Sequence, residues 1–300
     1  MSAFSLEAYM EDERGRVEAA LERAVAWIRE VVPQGVADAV AHGVLSGGKR
    51  LRPILCVSAY RACGGEVREA AYDLGAAPEL IHAYSLMHDD LPCMDDAELR
   101  RGQPTTHRVH GERRATVAGA ALIPAAALQA LRAATALGRD EGQARDMART
   151  LLEAAGAGGM VGGQWLDLLG EGRTLGAEDL DALHRRKTGA LLTASLIMGA
   201  QAAGAEDRAL EGLERYGRSV GLAFQIADDI LDATSSAEAL GKHPSDEDLD
   251  KSTYVSSYGL AEARRRAREE VHRAREGLAR SGLEAPALDA LAEYIVERRR

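Results

Sequence analysis

Residues 80–96 read LIHAYSLMHDDLPCMDD, and the fold turns on how this stretch is understood. Leu80 to Met87 is strongly apolar, so it predicts the buried end of a helix running from Glu66 to Asp90. That run closes on four carboxylates within eight positions: Asp89, Asp90, Asp95 and Asp96. A solvated surface explains one aspartate pair, but not a cluster that closes so apolar a run. Asp89 and Asp95 stand about 240° apart on an ideal helix and would face away from each other. Pro92 lies between them and cannot continue the hydrogen-bond ladder. An irregular turn over Leu91 to Met94, returning Asp95 towards Asp89, is therefore expected.

A second segment repeats the idea. FQIADDILD, from Phe224, sets Asp228, Asp229 and Asp232 into a run holding Val220, Leu222, Ile226, Ile230 and Leu231. Asp228 and Asp232 project together one turn apart and repel in a free helix. Two such clusters in apolar settings call for a cation. Their ligands are all oxygen, which selects Mg²⁺ or Mn²⁺, and Mg²⁺ is usually shared with substrate phosphates.

The rest of the chain has a helical texture. Ala, Leu, Glu and Arg dominate, with apolar residues at three- and four-residue spacing. The helical runs expected are Leu6 to Val32, Val36 to Leu45, Pro53 to Ala62, Glu66 to Asp90 and Gly111 to Leu137. Asp140 to Leu169, Ala177 to Ala203, Asp207 to Thr234, Leu260 to Ser281 and Ala285 to Arg299 follow. Pro124 should kink or split the run that holds it. Strand-like alternation is essentially absent, and Ser235 to Tyr254 reads as the longest loop. The 300 residues are expected to form one all-α domain, residues 1–300, of about ten or more helices.

Composition narrows the function. Acidic residues outnumber basic ones 47 to 37, which argues against a nucleic-acid partner. Aromatics at 4% exclude a β-sandwich and a base-stacking platform. No run of 18 apolar residues and no signal peptide is present, so no membrane span is expected. Cys56, Cys63 and Cys93 make neither a disulfide framework nor a metal pair, pointing to a reducing cytoplasm.

Only four of the 37 basic residues are lysine: Lys49, Lys187, Lys242 and Lys251. In so arginine-rich a chain, a retained lysine suggests a compact point charge for phosphate. Each sits in a suspicious place. Lys49 and Arg52 belong to GGKRLRP at Gly47, a glycine turn without P-loop spacing. Lys187-Thr188-Gly189 opens an apolar run, Lys242 and Lys251 follow the second cluster, and Arg100-Arg101-Gly102 follows the first.

With these segments in order, the chain resembles the trans-isoprenyl diphosphate synthases, a family typified by bacterial farnesyl diphosphate synthase. The resemblance runs through GGKRLRP, HDDLPCMDD at His88, LRRG at Leu99, GGQWLDL at Gly162, KTG at Lys187, FQIADDILD and DKSTY at Asp250. It implies a helical bundle around a central apolar cavity, a homodimer, and three Mg²⁺ ions per active site, with Mn²⁺ an alternative. Isoprenyl diphosphates are the implied small-molecule partners: isopentenyl diphosphate condenses 1′-4 with dimethylallyl or geranyl diphosphate.

By the same resemblance, Lys49, Arg52, His82 and Arg101 hold isopentenyl diphosphate. Asp89, Asp95, Asp228, Asp229 and Asp232 serve the metal, and Arg100, Lys187, Thr188, Gln225, Lys242 and Lys251 contact the allylic diphosphate. Asp89, Asp90, Asp95, Arg100, Lys187, Gln225, Asp228 and Lys242 form the catalytic set, and Gln164 lies near the reacting carbons. Tyr84 and Ser85, five and four residues before Asp89, govern product length. An aromatic at Tyr84 suits farnesyl diphosphate, with geranylgeranyl diphosphate the alternative. Two departures stand out: Lys242 is followed by His243-Pro244-Ser245-Asp246-Glu247 in place of a Gly-Lys/Arg-Asp element, and Val255 replaces a common proline.

Three rivals remain. His88-Asp89 is an HD dipeptide, as in metal phosphohydrolases, but that reading leaves the second cluster and the lysines unexplained. A non-catalytic helical subunit should have lost one cluster. A terpene cyclase would lack the basic turn for a second diphosphate.

Overall fold

The computed structural model describes residues 4–234 and 252–297. Lys242, Lys251, the anticipated loop before Ser252 and the final three arginines lie outside them.

The first half holds α1 (Leu6–Val31), α2 (Gln34–Leu45), α3 (Leu51–Ala62), α4 (Glu69–Asp89), α5 (Thr106–His110), α6 (Glu112–Ala136) and α7 (Glu141–Ala155). The second holds α8 (Met160–Gly170), α9 (Ala177–His184), a π-helical turn at Arg185–Gly189, α10 (Ala190–Ala203) and α11 (Asp207–Thr234). The last described helices are α12 (Tyr254–Tyr258), α13 (Leu260–Ser281) and α14 (Pro286–Glu297). The expected all-α class holds.

Two helices carry the aspartates, and they are built differently. Helix α4 buries residues on every side, from Ala71 and Leu74 to Leu80, Ile81 and Met87. A helix that is apolar all round belongs in the middle of a bundle, and α4 lies against α1, α3 and α6. Helix α11 is amphipathic; it packs on α10 and runs along α13. One large apolar core fills the bundle. A smaller cluster of Leu180, Leu222, Ile226, Tyr254, Ala263 and Ala267 joins α9, α11, α12 and α13.

The structure corrects the anticipated runs in four places. The run from Asp140 divides into α7 and α8 at a glycine-rich break, residues 156–159. The run from Ala177 is interrupted by the π turn, which shifts its register by a residue just where Lys187 stands. Pro124 does not split α6, because it and Ala120 are exposed and the carbonyl it leaves unpaired meets water. A small antiparallel hairpin appears where none was anticipated, pairing β1 (Leu99–Arg100) with β2 (Gln103–Pro104). Its two-residue turn, Arg101-Gly102, has positive φ at both positions, the backbone twist tight hairpins require.

Candidate active site

The basic turn between α2 and α3 opens with Gly47 and Gly48 at φ 77° and 138°, which a side chain would oppose. Arg50, also at positive φ, drives its guanidinium into the interior. There Nε donates to Glu18 Oε1 at 2.8 Å, Nη1 to Glu79 Oε1 at 3.0 Å and Nη2 to the Val44 carbonyl at 3.0 Å. Arg50 is thus the strut of the turn, a residue sequence reasoning left without a role.

Around that strut a cavity of 570 Å³ is lined by Lys49, Arg52, His82 and Arg101, with Glu79, Leu192 and Phe224 completing its walls. The four residues expected at one diphosphate therefore meet in one place. Arg101 arrives from the hairpin: it donates to the Gly47 carbonyl, and a Cβ on Gly48 would come within 2.6 Å of its guanidinium. Burial lowers Arg52 to about 10; Arg101 adds to the fall and Glu79 opposes it. Burial likewise holds His82 well below the ordinary histidine range, helped by Arg52, Arg101, Arg100 and Arg50, so its ring is neutral. Arg52 Nε is buried without a partner among the described residues. Cations that depress one another and an orphaned donor define a pocket short of an anion.

The first carboxylate cluster has the turn that its spacing demands. The Asp95 amide donates to the Asp89 carbonyl at 2.8 Å, and the Leu91 carbonyl accepts from Met94 at 2.9 Å and Asp96 at 3.1 Å. Asp89 is raised to about 6, mainly by burial, with Asp95 and Asp90 adding to the rise and Lys187 and Arg100 opposing it. Asp90 is placed differently: it is buried, and its Oδ1 accepts from Arg100 Nε at 2.7 Å and Nη2 at 2.6 Å. It ties the hairpin to α4 and aims Arg100. His88 turns to α6, with Nε2 at 3.0 Å from the Thr116 carbonyl, which removes the HD dipeptide as a metal motif.

In the second cluster, Asp229 is the buried member. Its Oδ2 accepts from the Tyr254 amide at 2.8 Å and its Oδ1 from Gln225 Nε2 at 3.4 Å. Burial raises it to about 6 against those two bonds, while Asp228 and Asp232 push the same way as burial. Gln225 Oε1 accepts from Thr188 Oγ1 at 3.1 Å, linking the π turn to α11. Lys187 Nζ donates to Asp167 Oδ2 at 2.5 Å. Asp167, a member of GGQWLDL, is a second partner the sequence reading passed over.

Glycines let these elements close up. A Cβ on Gly163 of α8 would lie 2.1 Å from the Lys187 amide nitrogen, and one on Gly221 of α11 would lie 2.6 Å from Gly189 Cα. Gln164, beside Gly163, has a buried Oε1 without a partner among the described residues. On α4, Tyr84 is half-buried, and Ser85 Oγ donates back to the His82 carbonyl at 2.9 Å.

No three carboxylate, imidazole or thiol groups converge as a finished metal cage among the described residues. What α4 and α11 offer is two oxygen-only sets, in each of which one carboxylate, Asp89 or Asp229, is raised by burial. Such sets suit a hard cation that completes its shell with water and phosphate oxygens. An all-α bundle with two acidic clusters and an anion-deficient basic cavity is that of an enzyme acting on diphosphates.

The comparisons make that class specific. Residues 33–283 match the polyprenyl synthetase family, and the chain belongs to it. It is 44% identical to the farnesyl diphosphate synthase of Escherichia coli over 88% of this chain and 89% of that one. It is 42% identical to the chloroplastic geranylgeranyl pyrophosphate synthase of Catharanthus roseus, over 99% of this chain and 82% of that one. An FPP/GFPP synthase of Zymomonas mobilis superposes with a TM-score of 0.80 at 34% identity, covering 97% and 98% of the two chains. A geranyltransferase of Legionella pneumophila gives 0.84 at 29%, covering 98% and 97%. The chain is a prenyltransferase, a trans-isoprenyl diphosphate synthase that depends on a divalent metal.

Proposed function

We propose that this enzyme condenses isopentenyl diphosphate with dimethylallyl and then geranyl diphosphate, releasing diphosphate and giving farnesyl diphosphate as its main product. The observation that carries the two-substrate reading is the basic cavity lined by Lys49, Arg52, His82 and Arg101, where Arg52 Nε has no partner among the described residues and none of the clustered aspartates lines the walls. It suits the five-carbon diphosphate, with His82 contributing a hydrogen bond and not a charge.

Asp89 and Asp95 on one side and Asp228, Asp229 and Asp232 on the other would hold three Mg²⁺ ions, with Mn²⁺ an alternative. When bound, the metal neutralises charge that develops on the departing diphosphate. Arg100, aimed by Asp90, and Lys187, anchored on Asp167, face the same group, together with Thr188 and Gln225. Lys242 and Lys251 are assigned to it by resemblance alone. Gln164 presents its amide beside the reacting carbons. The apolar interior keeps water from the allylic cation, and the departed diphosphate takes the final proton.

Product length follows from α4. One helical turn rises about 5.4 Å, close to one five-carbon unit, so the turn before Asp89 can close the tail cavity. Tyr84 stands there, and its hydroxyl is raised by burial and then by the charge of Asp89. Tyr84→Ala should move products to twenty carbons and beyond; an unchanged distribution removes the basis for fifteen.

The decisive experiment incubates the enzyme and isopentenyl diphosphate with each allylic starter, with and without EDTA, and separates products by chromatography. Phosphate release without a new carbon–carbon bond, or full turnover in EDTA, overturns the reading.

A homodimer is part of the proposal. Helix α6 is long and apolar enough to cross a membrane by length and composition, but half of that window is buried in the bundle. Its outward face exposes Val117 and Leu128, the neighbouring α7 exposes Leu152, and α8 exposes Val161, Trp165 and Leu169. A second copy would cover these faces, and light scattering after gel filtration tests it. The three cysteines are free, in keeping with a cytoplasmic enzyme as one domain of residues 1–300.

A further inference from the structure

His88 stands between the aspartates and the tail wall, and no part of the reaction uses it. It follows Tyr84 by one helical turn, so the two side chains share a face of α4. Their rings meet edge to face, with centroids 5.2 Å apart at 87°. On its other side the imidazole is fixed to α6. Nε2 lies 3.0 Å from the Thr116 carbonyl, which only accepts, so the ring carries its proton on Nε2. The ring also occupies the space a side chain would take at Gly119: a Cβ there would come within 2.4 Å of Nε2 and 2.5 Å of Cδ2. The imidazole is therefore wedged between a glycine of α6 and the Tyr84 ring.

We propose that His88 is a positioning residue for product length: anchored on Thr116 and seated over Gly119, it holds the Tyr84 ring across the path of the growing tail. This rests on the reading of Tyr84 as the wall. Tyr84 is only half-buried, so its ring has somewhere to go when the support is removed. A tyrosine released from that contact yields to the tail, and a further five-carbon unit is added. The hydrogen bond to Thr116 keeps the wedge in place, but the ring itself does the supporting. An aromatic replacement should therefore keep the wall, whereas a smaller polar one should lose it.

The test compares His88→Ala, His88→Asn, His88→Phe, Tyr84→Ala and the His88→Ala/Tyr84→Ala double variant. All receive isopentenyl diphosphate with geranyl diphosphate, and the readout is the ratio of products of twenty or more carbons to fifteen. This ratio is independent of how much enzyme is active. His88→Ala and His88→Asn should raise it about fivefold or more, the scale set by loss of one edge-to-face contact. His88→Phe should stay near the unaltered enzyme, and the double variant should match Tyr84→Ala alone. If Tyr84→Ala lengthens products and His88→Ala does not, the wall stands and this proposal falls. If the double variant exceeds Tyr84→Ala by the full effect of His88→Ala, His88 acts by another route and the proposal also falls. If Tyr84→Ala changes nothing, the wall reading fails, and this proposal with it. Should His88→Ala not fold, the contrast between His88→Asn and His88→Phe decides.

Discussion

Arg50 is the residue whose removal should tell most about how the basic cavity is held. Replacing it with methionine keeps the bulk but removes every donor from the Glu79 carboxylate, whose Oε2 is already buried without a partner. Glu18 is half-exposed and can hydrate, so most of the cost falls on Glu79. Breaking a buried pair by deleting one partner costs about 3–5 kcal/mol. With an unfolding entropy of about 2.1 cal/mol/K per residue, 300 residues give about 0.6 kcal/mol/K, so Tm should fall by about 5–8 °C. Calorimetry on the purified enzyme measures it. Arg50→Met/Glu79→Leu should recover much of the loss, because the orphaned carboxylate is gone. Arg50→Lys should recover little, since one ammonium cannot serve Glu18, Glu79 and Val44 in the geometry of the fork. A drop below about 1 °C for Arg50→Met, or a double variant no better than the single, would refute the view of Arg50 as a strut.

The two diphosphate sites should separate kinetically. Lys49→Ala should raise KM for isopentenyl diphosphate, Lys187→Ala should impair the allylic substrate or kcat, and the same defect in both contradicts two sites. The pH dependence has a definite sign. Arg52 is a cation below its lowered value of about 10 and neutral above it, so affinity for isopentenyl diphosphate should fall as pH rises through that value. His82, held neutral, should add no inflection in the ordinary histidine range; isothermal titration across pH checks both. Gly163→Ala should cut kcat about a hundredfold, because a Cβ 2.1 Å from the Lys187 amide must displace the π turn, and displacements near 1 Å have that effect. Circular dichroism should show the helices intact, and wild-type kcat would refute the close-approach reading.

Much of the site was legible in the sequence because its chemistry is written in local patterns. Pro92 between separated aspartates announced the turn that returns Asp95 to Asp89. Of the four lysines singled out, the two described stand where that reading set them, Lys49 lining the basic cavity and Lys187 in the π turn beside Asp167. What was not legible depends on partners distant in sequence. Nothing near Asp90 distinguishes it from Asp89, yet a hairpin ten residues on claims its carboxylate for Arg100. Nothing in GGKRLRP says which arginine goes inward; the outcome rests on Glu18 and Glu79, 32 and 29 residues away. The π turn was hidden because the glycines that pack against its backbone, Gly163 and Gly221, are distant in sequence.

The placement of the aspartates explains why the arrangement needs both sets of cations. Asp89 closes α4, so it faces the negative end of a helix dipole, where carboxylates are disfavoured. Burial works against it as well, and against Asp229 of α11, and both accordingly rise to about 6. Across the same region Arg52 and Arg101 are held below their ordinary values by burial, and by like charge. Each half of the site is thus strained by itself, while Glu79, Asp90 and Asp167 are committed to Arg50, Arg100 and Lys187. Those inner pairs tie the basic turn, the hairpin and the π turn to α4 and α8 around the acidic and basic sets. A ligand that brings both charges, a metal diphosphate, would answer both strains at once, as the proposed condensation requires.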